Sequence, residues 1–331
     1  AGCASAGAVR AMSLHGKSYW LGVAIVVALA IFAIATVKNE YFFFASYVVL
    51  QFVVLATAWN ILGGYAGYVN FGTGAFFGVG VYTSVLVINL LGAPLLVQIL
   101  AAAAVSGTLG YATGLLTLRL RGIFYSIATV AVAIILETLI VNWRYVGGST
   151  GIQILRPPVM PPFESYTKML FLVMTLLAVA ATAIARFIET SWIGRGLRAI
   201  RDSEIAAEGC GVPTLKLKLF ACTVSGALMG AAGAPLAMYQ SFIEPVSTFS
   251  LNYSVSALAM PMIGGTSHWI GPVIGAILLG SIQQIVTVTI SNEINVLVVG
   301  VLLVFFVVAA PSGIVGLARA LMRKYLARKS A

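Results

Sequence analysis

Apolar residues in this chain of 331 residues run in unbroken blocks of about 20, separated by short polar breaks. They neither alternate along a strand nor keep to one helical stripe. Each block is long enough to carry a helix across a bilayer. Backbone polar groups in lipid must be satisfied within a helix or a closed barrel, and continuous runs select helices. The pattern predicts an all-α polytopic membrane protein with about ten spans. They are placed at 19–37, 41–62, 70–90, 94–118, 122–142, 166–187, 217–240, 248–264, 268–290 and 292–310.

Composition supports this reading and excludes a soluble domain: 60% of residues are hydrophobic and 8% charged, with a mean hydropathy of +1.03. The net charge of +10 does not call for a nucleic acid partner. Lys and Arg concentrate in cytoplasmic loops of membrane proteins. With both termini in the cytoplasm, only Lys38, Arg144, Arg156 and Lys168 of the 19 basic residues fall outside. The chain then divides into a cytoplasmic segment 1–18, a transmembrane domain 19–310 with a cytoplasmic loop at 188–216, and a basic tail 311–331 suited to an anionic inner leaflet. Residues 1–18, which include Met12, do not have the apolar run of a signal peptide.

Chemistry for catalysis is sparse. Cys3, Cys210 and Cys222 fit neither a disulfide framework nor a zinc site, and His15 and His268 lie far apart. AMSLHGKS at 11–18 misses a phosphate-binding loop because Ala11 replaces its first glycine and no strand precedes it. No cofactor or metal is expected on this chain.

Three stretches carry the candidate function. The third span begins GGYAGYVNFGTGAFFGVGVYT at Gly63, where Asn70 among glycines suggests a break ahead of the helix. Such breaks are tolerated only inside protein or along a watered cavity; tight helix packing through Gly74 and Gly78 is the plainer account. Asn70, Phe71, Gly72 and Thr73 are the candidate lining of a path. Glu137 is the acid placed inside the membrane region, where an ionised carboxylate is costly unless paired or hydrated. Arg144 is a possible partner, and an interfacial role is the alternative. GRGLRAIRDSEIAAEGCGVP, from Gly194 to Pro213, is the longest strongly charged run. Asp202 and Ser203 can cap a short helix that Gly209, Gly211 and Pro213 end. On charge alone this is either an ordinary loop or a docking surface. Elsewhere, Pro157, Pro158, Pro161 and Pro162 stiffen an external loop, Gly226, Gly230 and Gly233 give the seventh span a close-packing face, and Gly63 to Thr83 weakly mirrors Gly264 to Gly280.

The order of three blocks resembles a known family. NILGGYAGYVNFGTGAFFGVGVYT from Asn60, GRGLRAIRDSEIAAEGCGVP with the following LKLFACTVSGALMGAAGAP, and MIGGTSHWIGPVIGAILLG from Met262 are similar to the branched-chain amino acid permeases of bacterial ABC importers, of the LivM kind. The resemblance covers about Trp59 to Pro311. It implies a multi-pass protein of the bacterial inner membrane that alternates access. Its partners would be a homologous second permease, two cytoplasmic ABC ATPases that bind ATP and Mg, an external solute-binding protein, and membrane lipid. It also implies that the charged loop is an EAA-type coupling loop. Glu204, Ala206, Ala207, Glu208, Gly209 and Gly211 fit that pattern, with Arg198, Arg201 and Asp202 beside them. The sequence departs from the family at Asn70-Phe71-Gly72-Thr73 and Thr266-Ser267-His268-Trp269. Those departures leave urea, short amides and aromatic or other organic acids open as solutes. An ion-coupled secondary transporter would be expected to carry several intramembrane acids. An intramembrane enzyme would need clustered nucleophile, base or metal ligands.

Overall fold

A computed structural model describes residues 2–117, 120, 122–154, 165–289, 292–310 and 313–319. The external prolines 157–162, Arg119, Arg121, Arg156 and the tail beyond Arg319 lie outside the described residues, as do the side chains of 2–18.

The apolar blocks form helices. In chain order these are α1 (Gly2–Thr36), α2 (Glu40–Ala66), α3 (Thr73–Leu91), α4 (Leu95–Thr117), α5 (Ile123–Asn142), α6 (Tyr166–Thr190), α7 (Trp192–Asp202), α8 (Glu204–Gly209), α9 (Thr214–Gln240), α10 (Pro245–Thr248), α11 (Leu251–Gly264), α12 (Ile270–Thr289) and α13 (Asn292–Ala309). Two-residue strands β1 (Ile152–Gln153) and β2 (Phe242–Ile243) pair antiparallel. Among the described residues, eight helices are long and apolar enough to cross a membrane: Tyr19–Thr36 of α1, then α2, α3, α4, α5, α6, α9 and α12. At the other two expected spans the helices are weaker candidates. With 14 residues, α11 rises about 21 Å, short of the roughly 30 Å hydrocarbon layer. In α13 the apolar stretch is Leu297–Phe306.

The most enclosed span is α9, which packs against α2, α3 and α4. Small residues make this possible. A side chain at Gly80 would collide with the backbone of Gly230, and one at Gly230 with Ser106. The expected small-residue face on α9 is therefore the contact of three helices, where packing and not exclusion of water favours association. Gly74, one of the pair expected to let helices approach, has the Ser250 carbonyl where a Cβ would lie 2.8 Å away.

The polar breaks gather at two ends of the bundle. One holds the β1–β2 pair and the α9–α11 turn. The other holds α7, α8, the C-terminal end of α2 and the turn 265–269. At this second end, α2 continues through Gly63 and Gly64 to Ala66, further than the apolar run alone suggests. The Trp59 indole covers Gly63, and Gly64 lies against the Thr266 carbonyl. Gly67 then ends α2 in the left-handed region, with φ 78°, and donates its N–H to Gly63 O.

Candidate functional site

Residues 67–72 are non-helical, and they do not leave the bundle. The Trp59 indole N–H donates to the Asn70 carbonyl at 2.8 Å. Trp59 lies seven residues before the end of α2, about 10 Å along its axis. The segment therefore turns at Gly67 and runs back beside the last two turns of α2 before α3 begins. Its backbone groups find partners, as buried irregular chain requires. Asn70 Oδ1 accepts the Gly72 N–H at 2.7 Å, Thr129 Oγ1 accepts the Phe71 N–H at 3.1 Å, and Ser126 donates to the Val69 carbonyl at 2.9 Å.

Three of the four residues proposed to line a path are buried here: Asn70, Gly72 and Thr73; Phe71 is half-buried. The Thr73 hydroxyl has no hydrogen-bond partner. Asn70 and Gly72 line a narrow void of about 10 Å³ with Thr113, Thr117, Tyr125 and Thr129, room for a single water at most. Glu137 does not join them. It is half-buried, eight residues beyond Thr129 on α5, or about 12 Å. Among the described residues no ion pair joins it to Arg144, which is exposed.

The charged loop folds as two helices that meet at Ser203, whose hydroxyl accepts the Ala206 N–H. Ser203 is thus the cap of α8, and Asp202 closes α7. The candidate residues here separate into two groups. Arg198 donates to the carbonyls of Glu189 and Gly194, which fixes the turn between α6 and α7. Arg201 donates to Gly64 O at 3.0 Å. Ala207 is buried. Glu204 turns inward. Its Oε1 lies 2.7 Å from Lys218 Nζ, and its Oε2 accepts the Tyr68 hydroxyl at 2.7 Å. Facing away are Asp202, Ala206, Glu208, Gly209 and Gly211. Glu208 still accepts from the Thr214 hydroxyl at 2.7 Å, and Gly211 sits at φ 81°. Ile205, which composition did not single out, is 72% exposed at the middle of this face.

Two further polar groupings went unread in the sequence. Lys218 is buried within α9, one residue inside the expected span. Its place in an apolar run was the available signal, because a lysine there demands a partner. Glu189, in the last turn of α6, accepts the Trp269 N–H at 2.7 Å and the Tyr65 hydroxyl at 3.4 Å. Its other oxygen lies 3.8 Å from His268 Nε2. His268 Nδ1 accepts the Ile270 N–H, which requires that nitrogen to be unprotonated. Burial lowers the His268 pKa below 6.5, and the Arg319 and Arg186 charges add to this against the opposing pull of Glu189. The guanidinium of Arg186 lies 4.3 Å from the Tyr19 ring centre, and Tyr19 packs edge-on against Trp269. This cluster ties α1, α6 and α12 together.

Among the described residues no group of three or more His, Cys, Asp or Glu could hold a metal ion. The site offers a hydrogen-bonded segment inside the bundle, a short helix bare on one side, and buried bonds between the two.

Comparison with known proteins bears on what such a bundle does. Residues 41–307 match the family described as branched-chain amino acid transport system / permease component. The LivM permease protein of the high-affinity branched-chain amino acid transport system of Salmonella typhimurium is 28% identical over 293 residues, 81% of this chain and 68% of that protein. LivM of Escherichia coli is 27% identical over the same length. LivH of Escherichia coli, a permease protein of the same kind of system, is 23% identical over 286 residues, 80% of this chain and 91% of that protein. No solved structure matches significantly. The family match spans well over half the residues, so this chain belongs to the branched-chain amino acid transport permease family.

Proposed function

We propose that this chain is the permease subunit of an ATP-driven importer for branched-chain or related amino acids, and that it alternates access when separate ATPases close on its cytoplasmic loop. The observation that carries this reading is α8. Six residues are too few to hold a helix unaided, yet α8 is capped, anchored from one side and left bare on the other. That is the form of an element that receives a partner and passes on its movement. The similarity to LivM and to LivH supports a second, homologous permease beside this one, with a path between them.

In this reading the end holding α7 and α8 faces the cytoplasm, as the distribution of Lys and Arg expects. The chain lies in the bacterial inner membrane with both termini inside. The segment 67–72 then enters the spanning layer from the cytoplasmic side and offers Asn70, Phe71, Gly72 and Thr73 to the path, with Glu137 nearer its outer mouth. ATP and Mg belong to the ATPase subunits, and an external binding protein supplies most of the solute selectivity.

The test is recovery and reconstitution. Affinity purification in mild detergent is expected to bring down a second permease and two P-loop ATPases. That complex, with its binding protein, is expected to accumulate radiolabelled leucine in proteoliposomes only when ATP is present. Recovery of the chain alone, with uptake driven by an ion gradient, would replace this reading with a secondary transporter.

A further inference from the structure

We infer that Tyr68, Glu204 and Lys218 form the link that carries movement of the loop helix α8 into segment 67–72 and onward to α5. The inference rests on the reading of α8 as the ATPase contact. The three side chains close a ring: Glu204 to Lys218 and Glu204 to Tyr68, each 2.7 Å, and Lys218 Nζ to the Tyr68 hydroxyl at 3.2 Å. The Lys218 side chain is 4% exposed and that of Glu204 14%. Burying such a pair gives up hydration that its attraction only partly returns, so stability alone gives little reason for it. What the ring supplies is geometry: the successive helices α8 and α9 are held at fixed lengths to a segment 136 and 150 residues away by charge-assisted bonds.

The two ends of the ring give it direction. Glu204 is the neighbour of Ile205, at the middle of the bare face of α8. Tyr68 follows Gly67, the left-handed residue at which the chain reverses. Beyond Tyr68 the same segment is bonded to α5 at Ser126 and Thr129. In α5 only 17% of the spanning window is buried, so that helix can follow the segment against little packing. Arg201 holds the end of α2 through Gly64 O and lies over Gly67. Its hold makes Gly67 a fixed pivot and leaves Tyr68 as the arm. Such coupling requires segment 67–72 to have a second arrangement, which ATP-dependent hydrogen exchange would read. Tyr68, Glu204 and Lys218 act as positioning residues.

The test uses three variants in the full complex with its ATPases and binding protein: Tyr68→Phe, the neutral double variant Glu204→Gln/Lys218→Met, and the reversed pair Glu204→Lys/Lys218→Glu. Tyr68→Phe keeps the ring packing if the double variants fold poorly. Hydrogen exchange of peptides covering 67–72 and 123–130 is followed with and without ATP, beside leucine uptake per ATP hydrolysed. In Tyr68→Phe and the neutral variant, the ATP-dependent change in exchange is expected to vanish, and uptake per ATP to fall at least about fivefold while hydrolysis continues. The reversed pair is expected to recover part of both. Unchanged exchange, or uptake and hydrolysis falling together, would overturn the link. A native complex that shows no ATP-driven uptake, yet loses exchange protection at 67–72 in the variants, would defeat the transporter reading and leave the mechanical link standing.

Discussion

Ile205 gives the sharpest test of the docking face. It is 72% exposed on α8, so its apolar surface contributes little to the fold of this chain. Fully burying an isoleucine is worth about 1.5–3 kcal/mol. With nearly three quarters of the side chain still to be covered, docking in an ATPase cleft would gain about 1–2 kcal/mol from this residue. Ile205→Ala removes most of that gain, and every 1.4 kcal/mol is tenfold in affinity, so binding should weaken about 5–30-fold. Ile205→Asp should weaken it further, because a carboxylate would be desolvated without a partner. The assay is titration of the detergent-solubilised permease pair with purified ATPase, read beside thermal unfolding of this chain. The expected result is weaker binding at an unchanged melting temperature. Affinity within twofold of wild type for Ile205→Ala would refute the argument that this face is covered. A lowered melting temperature would refute the argument that the residue is unused by the fold.

Other outcomes follow from the same geometry. Glu208→Lys with Gly209→Leu breaks the bond from Thr214 to Glu208 and puts a bulky side chain in the open space at Gly209; the chain should insert normally while ATP hydrolysis uncouples from uptake. Glu204→Ala leaves the buried Lys218 ammonium without its carboxylate, which costs about 3–5 kcal/mol in a thermal unfolding scan; Glu204→Gln/Lys218→Met should melt within a few degrees of wild type in the same scan. Gly230→Val drives a branched side chain into Ser106, and loss of monodisperse protein in size-exclusion chromatography would register the lost α4–α9 contact. His268 has a folded-state pKa below its unfolded value near 6.5. Its contribution is therefore complete above about pH 6.5 and is lost as pH falls below it, because the unfolded chain takes up the proton first. Melting temperatures from pH 8 to 5 should show this slope, and His268→Gln should flatten it.

The helices were legible because lipid imposes length and apolarity on each span separately. All ten expected segments overlap a helix. The shortness of α11 was not legible, since Phe249 and Ser250 ahead of it pack against Gly78 and Gly74 and start the helix inside the bundle. The candidate loop was visible as charge, but the direction of each charge was not. Glu204 finds Tyr68 136 residues away, and Glu189 finds Trp269 80 residues away. Neither separation has a local signature. Ile205 went unnoticed for a related reason: in an apolar chain an isoleucine is ordinary, and only its surroundings make it conspicuous.

The division of the loop residues has a physical basis. A six-residue helix must take its order from outside itself. Ser203 supplies a cap, Ala207 a buried contact, Glu204 an ion pair and Glu208 a bond to Thr214. The cap closes the first turn of α8 and the other three hold the helix to the bundle, and a residue so occupied cannot also yield to a partner without loosening the helix. What remains for a partner is the opposite side: Asp202, Ile205, Ala206 and Gly209. A glutamate in the loop is therefore not evidence of docking by its charge. The sense of its carboxylate, toward Lys218 or toward solvent, decides whether it anchors the lever or meets what pushes it.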